Sequence, residues 1–247
     1  MNILLTNDDG ILAPGINALY EELIKVGKVT VVAPDSERSS VGHGITLSHP
    51  LWHKRIEKNG RFFGTGVSGT PADCVKFATA VLLKERPDIV VSGINLGPND
   101  GCSVFYSGTV AAAREAALIG IPSFAVSLST FINPYFKFAA QFSAKLARNI
   151  SRYKIPQGTF LNVNVPNLKK EGIKGVKVTS QCTIPIHGTF QERTSPDLRQ
   201  YYWMSAKAPV NKKDLSVDTY ALANDYITIT PVKNDSTDYD FLKILRI

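Results

Sequence analysis

Short apolar runs alternate with amphipathic stretches along the first 165 residues. Ile3-Leu4-Leu5 is a run of the kind found in strands covered on both faces. Ile16, Leu19, Tyr20, Leu23 and Ile24 then fall at helical spacing, predicting an amphipathic helix that ends at Gly27. Val29 to Val32 reads as the next strand. Between Ser48 and Gly66 two strand-like segments flank Lys58-Asn59-Gly60, a hairpin-turn signal. Thr70-Pro71-Ala72-Asp73 opens a helix, with Thr70 as cap and Pro71 at the first helical position. Asp88 to Ser92 predicts a strand, Ser107 to Leu118 a helix and Phe124 to Leu128 a strand. Asn133-Pro134 is expected to cap a long helix carrying Phe138, Phe142, Leu146 and Ile150 at four-residue spacing, and Phe160 to Val165 gives a further strand.

Strands separated by helices predict βαβ units with right-handed crossovers. The expected fold class is α/β: a Rossmann-like, mostly parallel sheet with helices on both faces. Beyond residue 170 the helical alternation fades. Gly175–Gln181, Tyr201–Ala206 and Tyr226–Val232 read as strands of a C-terminal mixed β extension. The whole of residues 1–247 is expected to form one domain, with a core over about 1–170 and an oligomerisation extension over about 171–247.

Composition narrows the class. A chain of 247 residues with 44% hydrophobic and 20% charged residues is long enough to bury a core without disulfides or metals, and is neither disordered nor fibrous. The uncharged stretch Ala116–Phe136 contains Pro122, Pro134 and Gly120, and reads as helix end, turn and buried strand rather than a membrane span. The N-terminus lacks a basic leader, so no signal peptide is expected. Three widely spaced cysteines, Cys74, Cys102 and Cys182, form no C-x-x-C pair and suggest reduced thiols in the cytoplasm. The net charge of +7 is spread along the chain. It favours an anionic small molecule over nucleic acid, whose binding calls for clustered basic faces.

In an open parallel sheet, ligands gather beyond the carboxyl ends of the strands. The polar residues there are Asn7-Asp8-Asp9-Gly10, the run from Asp35 to His43, and the run from Ser92 to Gly101. Carboxylates, hydroxyls and amides dominate, which suits a hard divalent cation such as Mg²⁺ or Mn²⁺ better than zinc. Asp8 and Asp9 repel each other when partly buried, a cost that a bound cation removes. An isolated Asp-Asp-Gly would be an ordinary turn. Its position after a buried strand, with Ser39 and Asn95 at neighbouring strand ends, makes a four-oxygen cation site the better reading. Tyr106-Ser107-Gly108-Thr109 leads into an Ala-rich helix whose N-terminal N–H groups suit a phosphate; the plainer reading is that Ser107 or Thr109 caps the helix. His43, His49 and His53 read as exposed or structural, with His43 the one worth testing. Cys74 reads as core, and Lys169, Lys170, Lys174 and Lys177 as solvated surface.

Together these residues resemble the SurE (survival protein E) family of metal-dependent nucleotidases. The resemblance rests on Asn7-Asp8-Asp9-Gly10, Arg38-Ser39-Ser40-Val41-Gly42-His43, Gly69-Thr70-Pro71-Ala72-Asp73-Cys74-Val75, Ser92-Gly93-Ile94-Asn95-Leu96-Gly97 with Asn99 and Gly101, and Tyr106-Ser107-Gly108-Thr109-Val110 with Glu115-Ala116. Thr237-Asp238 near the C-terminus also fits. It implies a Rossmann-like core, subunits that exchange a C-terminal extension in homodimers or homotetramers, and hydrolysis of nucleoside 5′-monophosphates to nucleoside and phosphate, with breadth toward short polyphosphate. It implies one divalent cation per subunit on Asp8, Asp9, Ser39 and Asn95, catalysis by Asp8 and Asp9, and phosphate contacts at Ser107, Gly108 and Thr109. His43 and Asn99 are further candidates.

The expected mechanism has the cation polarise the phosphoryl group and activate a water that one Asp, Asp8 rather than Asp9, orients or deprotonates. A covalent aspartyl-phosphate enzyme would space its two Asp residues as D-x-D. A dinucleotide-dependent oxidoreductase would carry G-x-G-x-x-G after the first strand, where Asp8 and Asp9 stand. A non-catalytic nucleotide- or RNA-binding protein is the remaining alternative.

Overall fold

The computed structural model describes residues 1–207 and 214–246. Strands β1 (Asn2–Thr6), β2 (Lys28–Pro34), β3 (His53–Lys58), β4 (Arg61–Val67), β5 (Ile89–Leu96), β6 (Ser123–Ser129), β7 (Thr159–Pro166), β8 (Gly175–Val178) and β11 (Tyr226–Lys233) form one sheet in the order β3-β4-β2-β1-β5-β6-β7-β11-β8. From β4 to β7 every neighbouring pair is parallel; β3 and β11 add antiparallel pairings to β4 and β7. β9 (His187–Thr194) and β10 (Gln200–Lys207) pair with each other as a separate antiparallel ribbon.

Alternation along the strands explains the two-sided cover. Ile3 and Leu5 of β1 point into one apolar cluster and Leu4 into the other. The first cluster is completed by helices α1 (Pro14–Leu23) and α4 (Phe136–Asn149), which pack on each other; the second by α2 (Pro71–Phe77) and α3 (Gly108–Leu118). The mostly parallel sheet with helices on both faces is therefore the observed architecture. Short helices α5 (Asp218–Ala223) and α6 (Tyr239–Ile244) complete the chain.

Several local expectations hold for the expected reason. Asn59 (φ 52°) and Gly60 (φ 70°) make the left-handed turn between β3 and β4. Thr70 accepts the Asp73 N–H, and the Asp73 carboxylate accepts the Thr70 N–H, closing a capping box. Cys74 is fully buried.

Other expectations are corrected. Asn133-Pro134 does not cap α4: Asn133 turns left-handed (φ 48°), the cap is Tyr135, and its N–H is taken by Asn167 Oδ1 at 2.8 Å. The four-residue spacing of Phe138 and Phe142 marks the flank of α4. Its buried face is Ala139, Ala140, Ser143, Ala144 and Ala147, small residues that let α4 lie close against α1, together with Leu146; Leu146 and Ile150 of the expected stripe are buried as expected. Residues beyond 170 divide. β8 and β11 widen the main sheet, whereas β9 and β10 form the free-standing ribbon, whose first strand lacked a sequence signal.

Candidate active site

The sheet order reverses at β1, which has β2 on one side and β5 on the other. The crevice this creates at the carboxyl ends of β1 and β5 is where such sheets hold ligands. Asp8 follows β1 directly and Asn95 lies in the last turn of β5, so both arrive at that crevice by strand length alone. β5 and β6 shift register between Ser92 and Asn95. Gly93 makes this possible: at φ 135°, a Cβ there would come within 2.3 Å of the Val126 carbonyl oxygen.

Asp8 is 3% exposed. Its carboxylate accepts the Thr109 hydroxyl and the Thr109 backbone N–H at the start of α3. Its own carbonyl accepts the Arg38 N–H at 2.7 Å. Gly108 is required for this contact, since a Cβ there would lie 2.9 Å from Asp8 Cβ. Asp9 is half-buried and accepts the Leu96 N–H from the end of β5. Burial raises the Asp8 pKa despite the opposing bonds from Thr109. For Asp9, burial first and the neighbouring Asp8 charge second lift the carboxyl to about 7.

Asp8, Ser39, Asn95, Asn99 and Ser107 line one cavity of about 770 Å³. Asn95 Nδ2 donates to the Gly97 carbonyl at 2.8 Å, which leaves its amide oxygen as the acceptor available to a ligand. The Ser39 hydroxyl is exposed and donates to Glu37 at 2.6 Å. Asn99 is held from behind: it donates to Ser127, and its backbone N–H and carbonyl are bonded by Asn164 and Asn162.

The start of α3 differs from the exposed N–H cluster expected of it. Thr109 is fully buried with its hydroxyl and N–H on Asp8, and Ser107 caps the helix by accepting the Val110 N–H at 3.1 Å. Charge attraction explains the exchange: the positive end of the helix favours an anion, and the Asp8 carboxylate already occupies it. His43 is drawn away to Glu115, 2.9 Å distant. His49 is exposed, and His53 lies 5.3 Å from the Phe77 ring, so the three histidines do not cluster.

The opposite wall of the cavity carried no polar signal in the sequence. It is apolar and comes from Tyr106, Phe131, and Ile186, Gly188 and Met204 of the ribbon and its approach. Phe131 is 74% exposed and Met204 64%, unusual for large apolar side chains facing a polar site.

The donors fit a hard divalent cation. Two adjacent carboxylates resist ionising together, a hydroxyl and an amide oxygen face the same cavity, and the Asn7 Oδ1 in the same loop is buried without a hydrogen-bond partner. Among the described residues no group of three His, Cys, Asp or Glu side chains is placed to hold a metal ion, so a cation in this cavity would draw on hydroxyl and amide oxygens as well.

The family model described as Survival protein SurE matches residues 3–187. A protein named 5′-nucleotidase SurE from Syntrophobacter fumaroxidans is 48% identical over 245 residues, covering 99% of this chain and 98% of that one. One of the same name from Syntrophus aciditrophicus is 47% identical over 247 residues, covering 100% of this chain and 93% of that one. The crystal structure of the SurE protein from Aquifex aeolicus superposes with a TM-score of 0.86 at 39% identity, covering 99% of this chain and 98% of that one. The chain described here belongs to the SurE family.

Proposed function

We infer that the protein is a divalent-metal-dependent phosphatase that hydrolyses nucleoside 5′-monophosphates to nucleoside and phosphate, with short polyphosphate as a further substrate. The observation that carries this reading is one cavity of about 770 Å³ that joins the buried Asp8 carboxylate beyond β1 to the apolar side chains of Tyr106, Phe131, Ile186 and Met204. Relatives 48% and 47% identical over nearly the whole chain, each named 5′-nucleotidase, support it. The non-catalytic binding alternative is not favoured.

Asp8, Asp9, Ser39 and Asn95 would hold the cation, with Mg²⁺ or Mn²⁺ the ions suited to these oxygens. When bound, it supplies positive charge opposite the phosphoryl oxygens. The chain's own residues do the rest. Thr109 fixes the rotamer of Asp8, so that carboxylate can orient a water and take its proton as the water oxygen forms a bond to phosphorus. The bond from phosphorus to the 5′-oxygen breaks, and the nucleoside oxygen leaves with the electron pair and takes up, through water, the proton that Asp8 had gained. Ser107 lines the cavity and would face the phosphate, with Gly108 packed against Asp8; Thr109 acts through Asp8. Tyr106, Phe131 and Met204 exclude water from the nucleoside end.

Three further features follow the same reading. The three free cysteines suit a cytoplasmic location. No helix among the described residues is long and apolar enough to cross a membrane. Exposed Tyr202 and Trp203 on the ribbon and Phe241, Leu242 and Ile244 on α6 support a homodimer or homotetramer joined through residues 171–247. Nucleic acid is not among the proposed partners.

The test is phosphate release from nucleoside monophosphates with chelator and with Mn²⁺ or Mg²⁺. Release should require the cation, and Asp8→Asn should lower kcat about 1,000-fold. Equal release in chelator, or nucleotide binding with no turnover under any cation, overturns the assignment.

A further inference from the structure

The loop between β2 and β3 carries Ser39, and one of its anchors is a buried carboxylate, Glu115, that the proposed chemistry leaves unused. Glu115 sits in the middle of α3 and is 4% exposed. Its two oxygens serve different partners. Oε1 takes Lys76 Nζ from α2 at 2.8 Å, and Oε2 takes His43 Nε2 at 2.9 Å. Burial works to raise the Glu115 pKa, but the bonds from His43 and Lys76 more than offset it and hold the carboxyl below its usual range. Burying a carboxylate between two partners is a poor way to gain stability, because desolvation consumes most of the attraction. Such a group gains its value by fixing a geometry.

The two arms of the cluster differ in what they fix. Lys76 joins α2 to α3, two helices already packed together. His43 belongs to the loop, four positions after Ser39. Upstream of Ser39, the Arg38 N–H is bonded to the Asp8 carbonyl at 2.7 Å; downstream, the Gly42 N–H is bonded to the Tyr106 carbonyl at 2.9 Å. Ser39 is thus slung between an attachment to Asp8 and a pair of attachments, Gly42 and His43, to α3 and the turn leading into it. The start of the same helix holds the Asp8 side chain through Thr109.

We propose that His43 and Glu115 form a clamp that positions Ser39 opposite Asp8, so that helix α3 sets the spacing of two oxygen donors to the cation. This rests on the reading of Asp8 and Ser39 as cation donors. His43 is a positioning residue on this account, since it touches neither substrate nor cation.

Mn²⁺ binding to the full-length protein, read from the electron paramagnetic resonance signal of free Mn²⁺, tests the clamp without using turnover. His43→Leu should bind Mn²⁺ about tenfold more weakly, as loss of an outer-shell partner typically does. Ser39→Ala should lose a similar factor. The double variant should be no weaker than Ser39→Ala alone, within about twofold, because His43 acts only through Ser39. His43→Gln, which keeps a donor where Nε2 stands, should restore affinity to within about twofold of the parent. Lys76→Met should lower Tm but leave Mn²⁺ affinity unchanged. If His43→Leu does not fold, His43→Asn, too short to reach Glu115, replaces it in the cycle. Parent-like affinity in His43→Leu, additive losses in the double variant, or an equal loss in Lys76→Met overturns the clamp. Asp8→Asn separates the two failures: parent-like Mn²⁺ binding in that variant overturns the cation reading itself.

Discussion

The two walls of the candidate active site are built on opposite principles. The sheet-edge wall rises from strands in the middle of a nine-stranded sheet, and its key group, Asp8, is buried and bonded through its side chain and its backbone. The facing wall comes from a two-stranded ribbon that pairs with nothing else among the described residues, and from a loop bearing an exposed Phe131. Chemistry needs donors fixed to a fraction of an ångström, which only a packed scaffold provides. A nucleoside needs apolar area and tolerance of shape, which an adjustable ribbon provides at less cost in strain. The division predicts that changes on the first wall act on kcat and changes on the second act on KM.

After Asp8→Asn, Thr109→Val gives the largest expected effect. Valine matches threonine in shape and packs in the same buried site, but Asp8 loses one of its donors. We expect kcat to fall roughly tenfold to a hundredfold with KM for nucleotide nearly unchanged. The lost bond had lowered the Asp8 pKa, so the acid limb of the pH–rate profile should move to higher pH. A variant that changes only KM would contradict the assignment of Thr109 to the catalytic wall.

Met204→Ala and Phe131→Ala probe the other wall. Each should raise KM for a nucleoside monophosphate about tenfold, equivalent to a modest loss of apolar burial, with kcat retained. Ribose 5-phosphate, which lacks a base, should be hydrolysed by these variants as by the parent. An equal loss on both substrates would place the ribbon in the chemistry and erase the contrast.

The smallest effect is on stability, read as Tm in chelator between pH 5 and pH 7.5. Asp8 and Asp9 have folded pKa values raised above the ordinary 3.8, Asp9 to about 7. Between about pH 4 and 7 the folded chain therefore holds more protons than the unfolded chain, and stability falls as pH rises through that window. The parent should melt a few degrees lower at pH 7.5 than at pH 5, and Asp9→Asn should flatten that slope. Saturating Mn²⁺ should flatten it as well, because the cation stabilises the ionised pair. A slope unchanged in Asp9→Asn would assign it to other groups.

Legibility in the sequence follows the same contrast. Alternating runs such as Ile3-Leu4-Leu5 fix which residues enter the two cores, and hence the parallel sheet, because every strand must cover both faces. Asp8, Asp9 and Asn95 were readable because they stand at the carboxyl ends of buried strands. The partners of Thr109 and His43 were not. A threonine in the first turn of a helix and a histidine in a loop have many equally good local partners, and only the packing of α3 against β5 and β6, beside the loops that follow β1 and β2, selects Asp8 and Glu115. The same limit hid β9, whose His187–Thr194 stretch carries little apolar alternation and forms a strand only because β10 pairs with it. It also hid half of the buried face of α4: Leu146 and Ile150 are buried as their spacing predicted, but close approach to α1 favours alanine over the larger Phe138 and Phe142, which are only partly buried.

By itself the sequence determined the α/β order of elements, the two-sided core and the acidic loop after β1, because hydrophobic periodicity and strand ends are local properties of the chain. The tertiary structure alone decided that the start of α3 grips Asp8, that His43 reaches Glu115, and that a ribbon distant in sequence closes the cavity. The first two bring together groups 101 and 72 positions apart, where burial and hydrogen-bond competition select one partner among many.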